Sequence, residues 1–132
     1  MAEVLLMIGA VLTALRGIAH LFPTTSVVAG FGEISTDNRL IITMEWIVDG
    51  VSLIFVGILV GAVTLIDRTA PIAGLVYFLS AGMLVVLAVV SLFTGFKVSF
   101  LPFKLCPAIF GLSAVLFIVG AVCLIWSSLM AV

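Results

Sequence analysis

Apolar residues run almost unbroken through four stretches of this chain, about 3–22, 41–66, 70–93 and 106–130, with polar residues gathered between them. Each stretch is near the ~20 residues that a helix needs to cross the hydrocarbon of a bilayer. The breaks agree with that reading. Pro23 ends the first stretch, and Lys97, Pro102, Lys104 and Pro107 punctuate the third connection. Asp67-Arg68 with Pro71 predicts a tight turn, proline being suited to the first turn of the following helix. The pattern predicts an all-α fold: an integral membrane four-helix bundle forming a single transmembrane domain over 1–132. An even number of spans puts both termini on the same side as the Asp67-Arg68 turn, and loops 23–40 and 94–105 on the other.

The apolar pattern is interrupted where it should be cleanest. Arg16 and His20 lie one turn apart in the first span, and Glu45 and Asp49 one turn apart in the second. The chain has only eleven Asp, Glu, Lys and Arg residues and one histidine. Ionisable groups within a bilayer are costly and normally face a bundle interior or a wet cavity, so these four form a candidate site. In an antiparallel hairpin one register pairs Arg16 with Asp49, His20 with Glu45 and Thr13 with Ser52. Thr13, Arg16, Gly17 and His20 share one face, and Glu45, Asp49, Ser52 and Val56 another. Arg16 stays protonated. Electroneutrality in low dielectric then requires that His20 carry a proton or that one carboxyl keep one. A shared proton of this kind suits proton transfer.

Composition sharpens the class. The chain is 65% hydrophobic and 8% charged, with a mean hydropathy of +1.56, more apolar surface than a small soluble domain hides. A net charge of −1 gives no basic footprint, so no nucleic-acid partner is expected. The acidic Glu3 and the absence of a small-residue cleavage site before Arg16 argue that the first span is retained. Arg39, Lys97 and Lys104 on the two-loop side outnumber Arg68 on the other, which points loops 23–40 and 94–105 to the cytoplasm and the termini to the opposite side. Cys106 and Cys123 fall in one helix about 25 Å apart, too far to bond, and read as small buried hydrophobes.

Gly57 and Gly61 form a G-x-x-x-G that predicts close helix packing within the subunit, or alternatively a homodimer face. Loop 23–40 is long for a connection and suits a lid or a membrane-surface connector, with Ser35, Thr36 or Asp37 as the cap of the second helix. Trp46 and Trp126 read as interfacial anchors, Trp46 alternatively as a pocket wall. Tyr77 reads as a core hydroxyl bonded to a backbone carbonyl. Phe93, Phe96, Phe100 and Phe103 read as an interfacial girdle.

The four-span layout resembles that of the DoxX-like group and of the four-span drug exporters, with no defining motif of either present. Exporters of that kind rely on an acidic residue in the first span, where this chain has Arg16 and His20. In residue types alone, the acid-and-histidine set resembles membrane-embedded sterol isomerases and terpene cyclases. The first expectation is a site that binds a lipid-like or amphipathic small molecule and carries out acid/base chemistry of isomerase or cyclase type. Arg16, Trp46, Thr13 and Ser52 would contact the substrate, and Glu45, Asp49 and His20 would handle protons. The alternatives are a dimeric proton-coupled transporter with Glu45 or Asp49 as its coupling carboxylate, and a non-catalytic membrane subunit whose polar cluster only locks helices. No cofactor is implied. A metal on His20, Glu45 and Asp49 is disfavoured because Arg16 would repel a cation.

Overall fold

The computed structural model describes residues 1–98 and 101–130, without the side chains of 101 and 102. Five α-helices account for nearly all of it: α1 (Ala2–Leu21), α2 (Thr24–Ala29), α3 (Thr36–Asp67), α4 (Pro71–Phe93) and α5 (Leu101–Leu129), with a 3-10 turn at Gly95–Lys97. α1, α3, α4 and α5 are each long and apolar enough to cross a membrane. They form an all-α four-helix bundle.

The helix ends follow from local chemistry. The Ser35 hydroxyl accepts from the Asn38 amide at 3.2 Å, so α3 starts at Thr36 rather than near 41. Its 32 residues extend over about 48 Å, well beyond a hydrocarbon core of ~30 Å. The expected long loop 23–40 is therefore largely helix: α2 occupies its beginning, and only residues 30–35 connect α2 to α3. The α3–α4 turn is tight, with Asp67 Oδ1 accepting from the Thr69 amide at 2.9 Å and the Thr69 hydroxyl at 2.6 Å. Pro71 opens α4 as expected. Pro107 lies inside α5 instead of in the connection before it. It lacks the N–H that would bond to the Phe103 carbonyl.

Around the bundle α1 packs closely on both α3 and α5, α4 packs on α5, and α3 meets α4 far less. Lipid tails are as apolar as leucine, so such seams are held by close contact rather than by transfer from water. Glycines provide that contact. A Cβ on Gly17 would lie 2.6 Å from the Gly50 carbonyl oxygen, and one on Gly57 2.6 Å from the Ala10 carbonyl oxygen. These contacts set the α1–α3 register two residues, or about 3 Å, away from the register drawn from the charges. On the α5 side, Gly9 faces Phe117 and Gly120 faces Leu6. Leu6, Leu53, Val60, Tyr77, Leu84 and Phe117 are fully buried between the helices, while Leu15, Phe55, Leu79 and Val86 point outward.

Both helical ends of the chain lie at the α3–α4 turn, where Arg68 Nη2 is 2.8 Å from Glu3 Oε1 and Gly120 approaches Ala2. Trp126 is exposed at this end. Tyr77 departs from its expected backbone partner: its hydroxyl lies 3.1 Å from Thr64 Oγ1. Thr64 in turn donates to the Val60 carbonyl at 2.7 Å, so the Tyr77 proton is the one that serves the 3.1 Å contact. Phe93 and Phe96 are exposed beside the third connection. Phe103 turns inward against Trp46, and Phe100 lies outside the described residues.

Candidate functional site

α1 ends at the two-loop end of the bundle, and its last turn assembles the site. The carbonyls there lack helical partners. Thr24 donates its hydroxyl to the Leu21 carbonyl at 2.6 Å, and Trp46 of α3 donates its indole N–H to the His20 carbonyl at 2.8 Å. That bond fixes the Trp46 ring, which stacks on the His20 imidazole at 4.0 Å with 16° between planes. Trp46 is thus a wall of the site. Its edge contact with Phe103, centroids 5.6 Å apart at 68°, closes the wall toward α5.

The polar pairing differs from the expected one. His20 Nε2 lies 3.2 Å from Asp49 Oδ2, across the α1–α3 seam, and Glu45 is exposed with no ion pair among the described residues. His20 is buried while the Asp49 side chain is 40% exposed, so the pair has one sheltered and one open end. The Nδ1 atom of His20 is buried and has no hydrogen-bond partner among the described residues. With the proton on Nε2 toward Asp49, Nδ1 is a bare acceptor.

Arg16 does not reach Asp49. Its Nη2 donates to Cys106 Sγ at 2.9 Å, and its guanidinium carbon is 6.0 Å from the centroid of Phe110. The contacts of Gly9 with Phe117 and Leu6 with Gly120 put the Arg16 backbone level with Phe110. The guanidinium therefore climbs one turn toward the two-loop end to reach Cys106, the snorkelling typical of long cationic side chains in membranes. Among the described residues no carboxylate lies within ion-pair distance of it.

A cavity of about 520 Å³ opens beside these groups, lined by Arg16, His20, Glu45, Trp46, Asp49 and Cys106 with apolar residues of α3, α4 and α5. Two further cavities adjoin it. One of about 350 Å³ lies between α1 and α5 and also touches Arg16, His20, Trp46 and Phe103. The other, of about 590 Å³, runs under α2, between Pro23, Val27, Phe31, Trp46 and Phe103. Trp46 and Phe103 line all three.

The structure brings together Arg16, His20, Glu45, Trp46 and Asp49 and leaves Thr13 and Ser52 apart. Thr13 is buried and donates to the Gly9 carbonyl of its own helix at 2.8 Å. Ser52 faces a groove between α3 and α4. Cys106, Phe103 and Phe110 went unseen in the sequence because nothing in it says that α5 sits beside α1. Gly9 and Gly120, each a mark of a close helix neighbour, were the available signal. No protein-family model matches this chain, and comparison with curated proteins and with solved structures gives no match either.

Proposed function

We propose that this bundle binds a lipid-like amphiphile through an anionic or carbonyl oxygen held by Arg16, with the apolar portion of the molecule inside the bundle. One observation carries the reading: a guanidinium that meets no carboxylate among the described residues borders a largely apolar cavity of about 520 Å³. Ligand sites are concave and mainly apolar with a few converging polar groups. A cation in low dielectric calls for an opposite charge or a strong acceptor, and a bound oxygen supplies it.

The His20–Asp49 pair equips the same cavity for proton transfer. A ligand atom next to Asp49, the open end of the pair, would exchange a proton with its carboxylate while His20 Nε2 shares that proton from the sheltered end, the arrangement general acid–base catalysis uses. Glu45, exposed at the rim, is the remaining carboxylate within reach of water. In this reading the positive charges of the adjoining loops turn the mouth of the site toward the cytoplasm.

The test is a thermal-shift screen of sterols, isoprenoids and fatty acids on the purified protein, repeated on Arg16→Gln and Asp49→Asn. A ligand at a hundred times its Kd stabilises by roughly 2.7 kcal/mol, which raises Tm by several degrees. Loss of the shift in Arg16→Gln supports binding through the guanidinium. Conversion of a bound ligand by the wild type but not by Asp49→Asn supports the acid–base role. If no member of the screen shifts Tm, the cluster is a helix lock and the binding reading falls.

A further inference from the structure

The α3–α4 seam continues the site in one direction. Asp49, Ser52 and Val56 lie on one face of α3 at spacings of three and four residues, and Leu87, Met83 and Ser80 form the facing edge of α4. The 520 Å³ cavity occupies the upper end of this seam, at Asp49 and Leu87. A second cavity, of about 490 Å³, lies a turn below it, from Ser52 to Leu59 on α3 and from Met83 to Leu79 on α4. α3 and α4 are joined by the tight turn at Asp67–Pro71, yet they pack on each other less than any other neighbouring pair of spans. The seam is thus an apolar groove, bordered on α3 by Ser52 and Val56 and, outside them, Val51, Phe55 and Leu59, and on α4 by Leu79, Ser80 and Met83, with Phe55 and Leu79 at its outward rim. It starts at the 520 Å³ cavity that Arg16 borders and descends toward the α3–α4 turn.

We propose that this groove holds the tail of a single-chain fatty acid whose carboxylate sits on Arg16. The proposal rests on the reading of Arg16 as the head-group anchor. Charge complementarity selects the head, since a carboxylate matches the fork of the guanidinium. Below Asp49 the seam carries one cavity of about 490 Å³, a path for one chain rather than for the two of a phospholipid. Leu59 lies ten residues beyond Asp49, so the groove runs about 15 Å below the head group. A long saturated chain fills that length, and a short one stops midway.

Blocking the groove at two depths tests the path. Ser52→Trp sits about 4.5 Å below Asp49 and Leu59→Trp about 15 Å below it. Octanoate and hexadecanoate are titrated into each variant in detergent micelles, with their methyl esters as controls. The expected pattern is graded by depth. Ser52→Trp weakens both acids, whereas Leu59→Trp weakens hexadecanoate by roughly tenfold or more, as over-packing does, and leaves octanoate unchanged. Retained octanoate binding shows that Leu59→Trp is folded, and the unliganded melt does the same for Ser52→Trp. If neither block alters either acid while Arg16→Gln abolishes both, the head-group reading stands and the tail path is overturned. If Arg16→Gln alters neither, the anchor itself falls and the groove proposal with it. If the wild type is a dimer that Leu59→Trp converts to a monomer, the groove belongs to a second copy of the chain and the proposal is overturned.

Discussion

Replacement of glycine by alanine should have opposite sign at Gly57 and at Gly74. Both lie inside helices, where the exchange alone contributes about 0.5–1 kcal/mol of stability by lowering the entropy of the unfolded chain. At Gly74 a Cβ meets nothing within 4 Å among the described residues, so the gain is kept. At Gly57 the Cβ would lie 2.6 Å from the Ala10 carbonyl oxygen and 2.8 Å from the Ala14 amide nitrogen. Those are backbone atoms of α1 and have no rotamer to change. Ordinary contact begins near 3.4 Å, so α1 must retreat by the difference, about 0.8 Å, from a seam packed along its length. Over-packing of that kind costs about 1–3 kcal/mol, which leaves a net loss of about 0–2.5 kcal/mol, near 1 at the middle of both ranges, after the intrinsic gain. The two variants should therefore differ by about 2 kcal/mol. Equilibrium unfolding in mixed micelles, followed by circular dichroism at increasing SDS fraction, measures both. If Gly57→Ala were as stable as Gly74→Ala, α1 and α3 would not approach so closely. The register that brings His20 to Asp49 would fall with it.

A double-mutant cycle on His20→Gln and Asp49→Asn should give a coupling of about 0.6–1 kcal/mol, between the mean and the upper bound for polar pairs in membranes, because the Asp49 side chain is 40% exposed; additivity in the same unfolding assay would refute the pair. Thr64→Val should cost more than Tyr77→Phe: it leaves the buried Tyr77 hydroxyl without its partner, at about 1–3 kcal/mol, whereas Tyr77→Phe leaves Thr64 bonded to the Val60 carbonyl. Equal Tm losses would show that the Tyr77 hydroxyl has another partner. Arg68→Ala should cost less than about 1 kcal/mol, since both members of the Glu3–Arg68 pair are roughly half exposed, and that cost should vanish in about 1 M salt. A larger, salt-independent loss would mean that the pair clamps the helix ends more firmly than its geometry suggests.

The spans were legible in the sequence because length and apolar content fix them and little competes with those terms in a bilayer. The polar end of α3 was not. Thr36-Asp37-Asn38-Arg39 looks like a loop until the Ser35 cap is seen to start the helix there. The candidate residues Arg16, His20, Glu45, Trp46 and Asp49 were also legible, since charge in an apolar span stands out. Their pairing was not, and the reason is a ranking of forces. Matching the charges gives a register that puts Arg16 opposite Asp49. The backbones obey Gly17 against Gly50 and Gly57 against Ala10, which lies two residues away. A clash between backbones is hard, whereas an arginine side chain reaches a full turn to find another partner, and it finds Cys106. Helix order around the bundle could not be read at all, so the contribution of α5 stayed hidden.

Glycine placement marks the two seams of α1 as those of closest backbone approach. Gly9, Gly17, Gly50, Gly57 and Gly120 all lie where α1 meets α3 or α5, with neighbouring atoms too close for a Cβ. Gly74 and Gly82 of α4 meet nothing within 4 Å among the described residues; α4 nonetheless packs well on α5, whereas α3 meets α4 far less. Between helices in lipid, closeness is the main source of affinity. The α3–α4 seam has the least of it, and two cavities open along that seam, while a third lies between α1 and α5. His20 is held in the tight α1–α3 seam, stacked on Trp46, and its partner Asp49 borders the cavity that opens between α3 and α4. Preorganised polar groups lose little entropy when a ligand arrives, and a wall that is not close-packed loses few contacts in admitting one. A groove packed as tightly as the α1–α3 seam would have to break backbone-level contacts before any chain slid in. The division of close and loose seams thus puts fixed polar atoms at the edge of a yielding apolar wall, the arrangement that an amphiphile with one polar end requires.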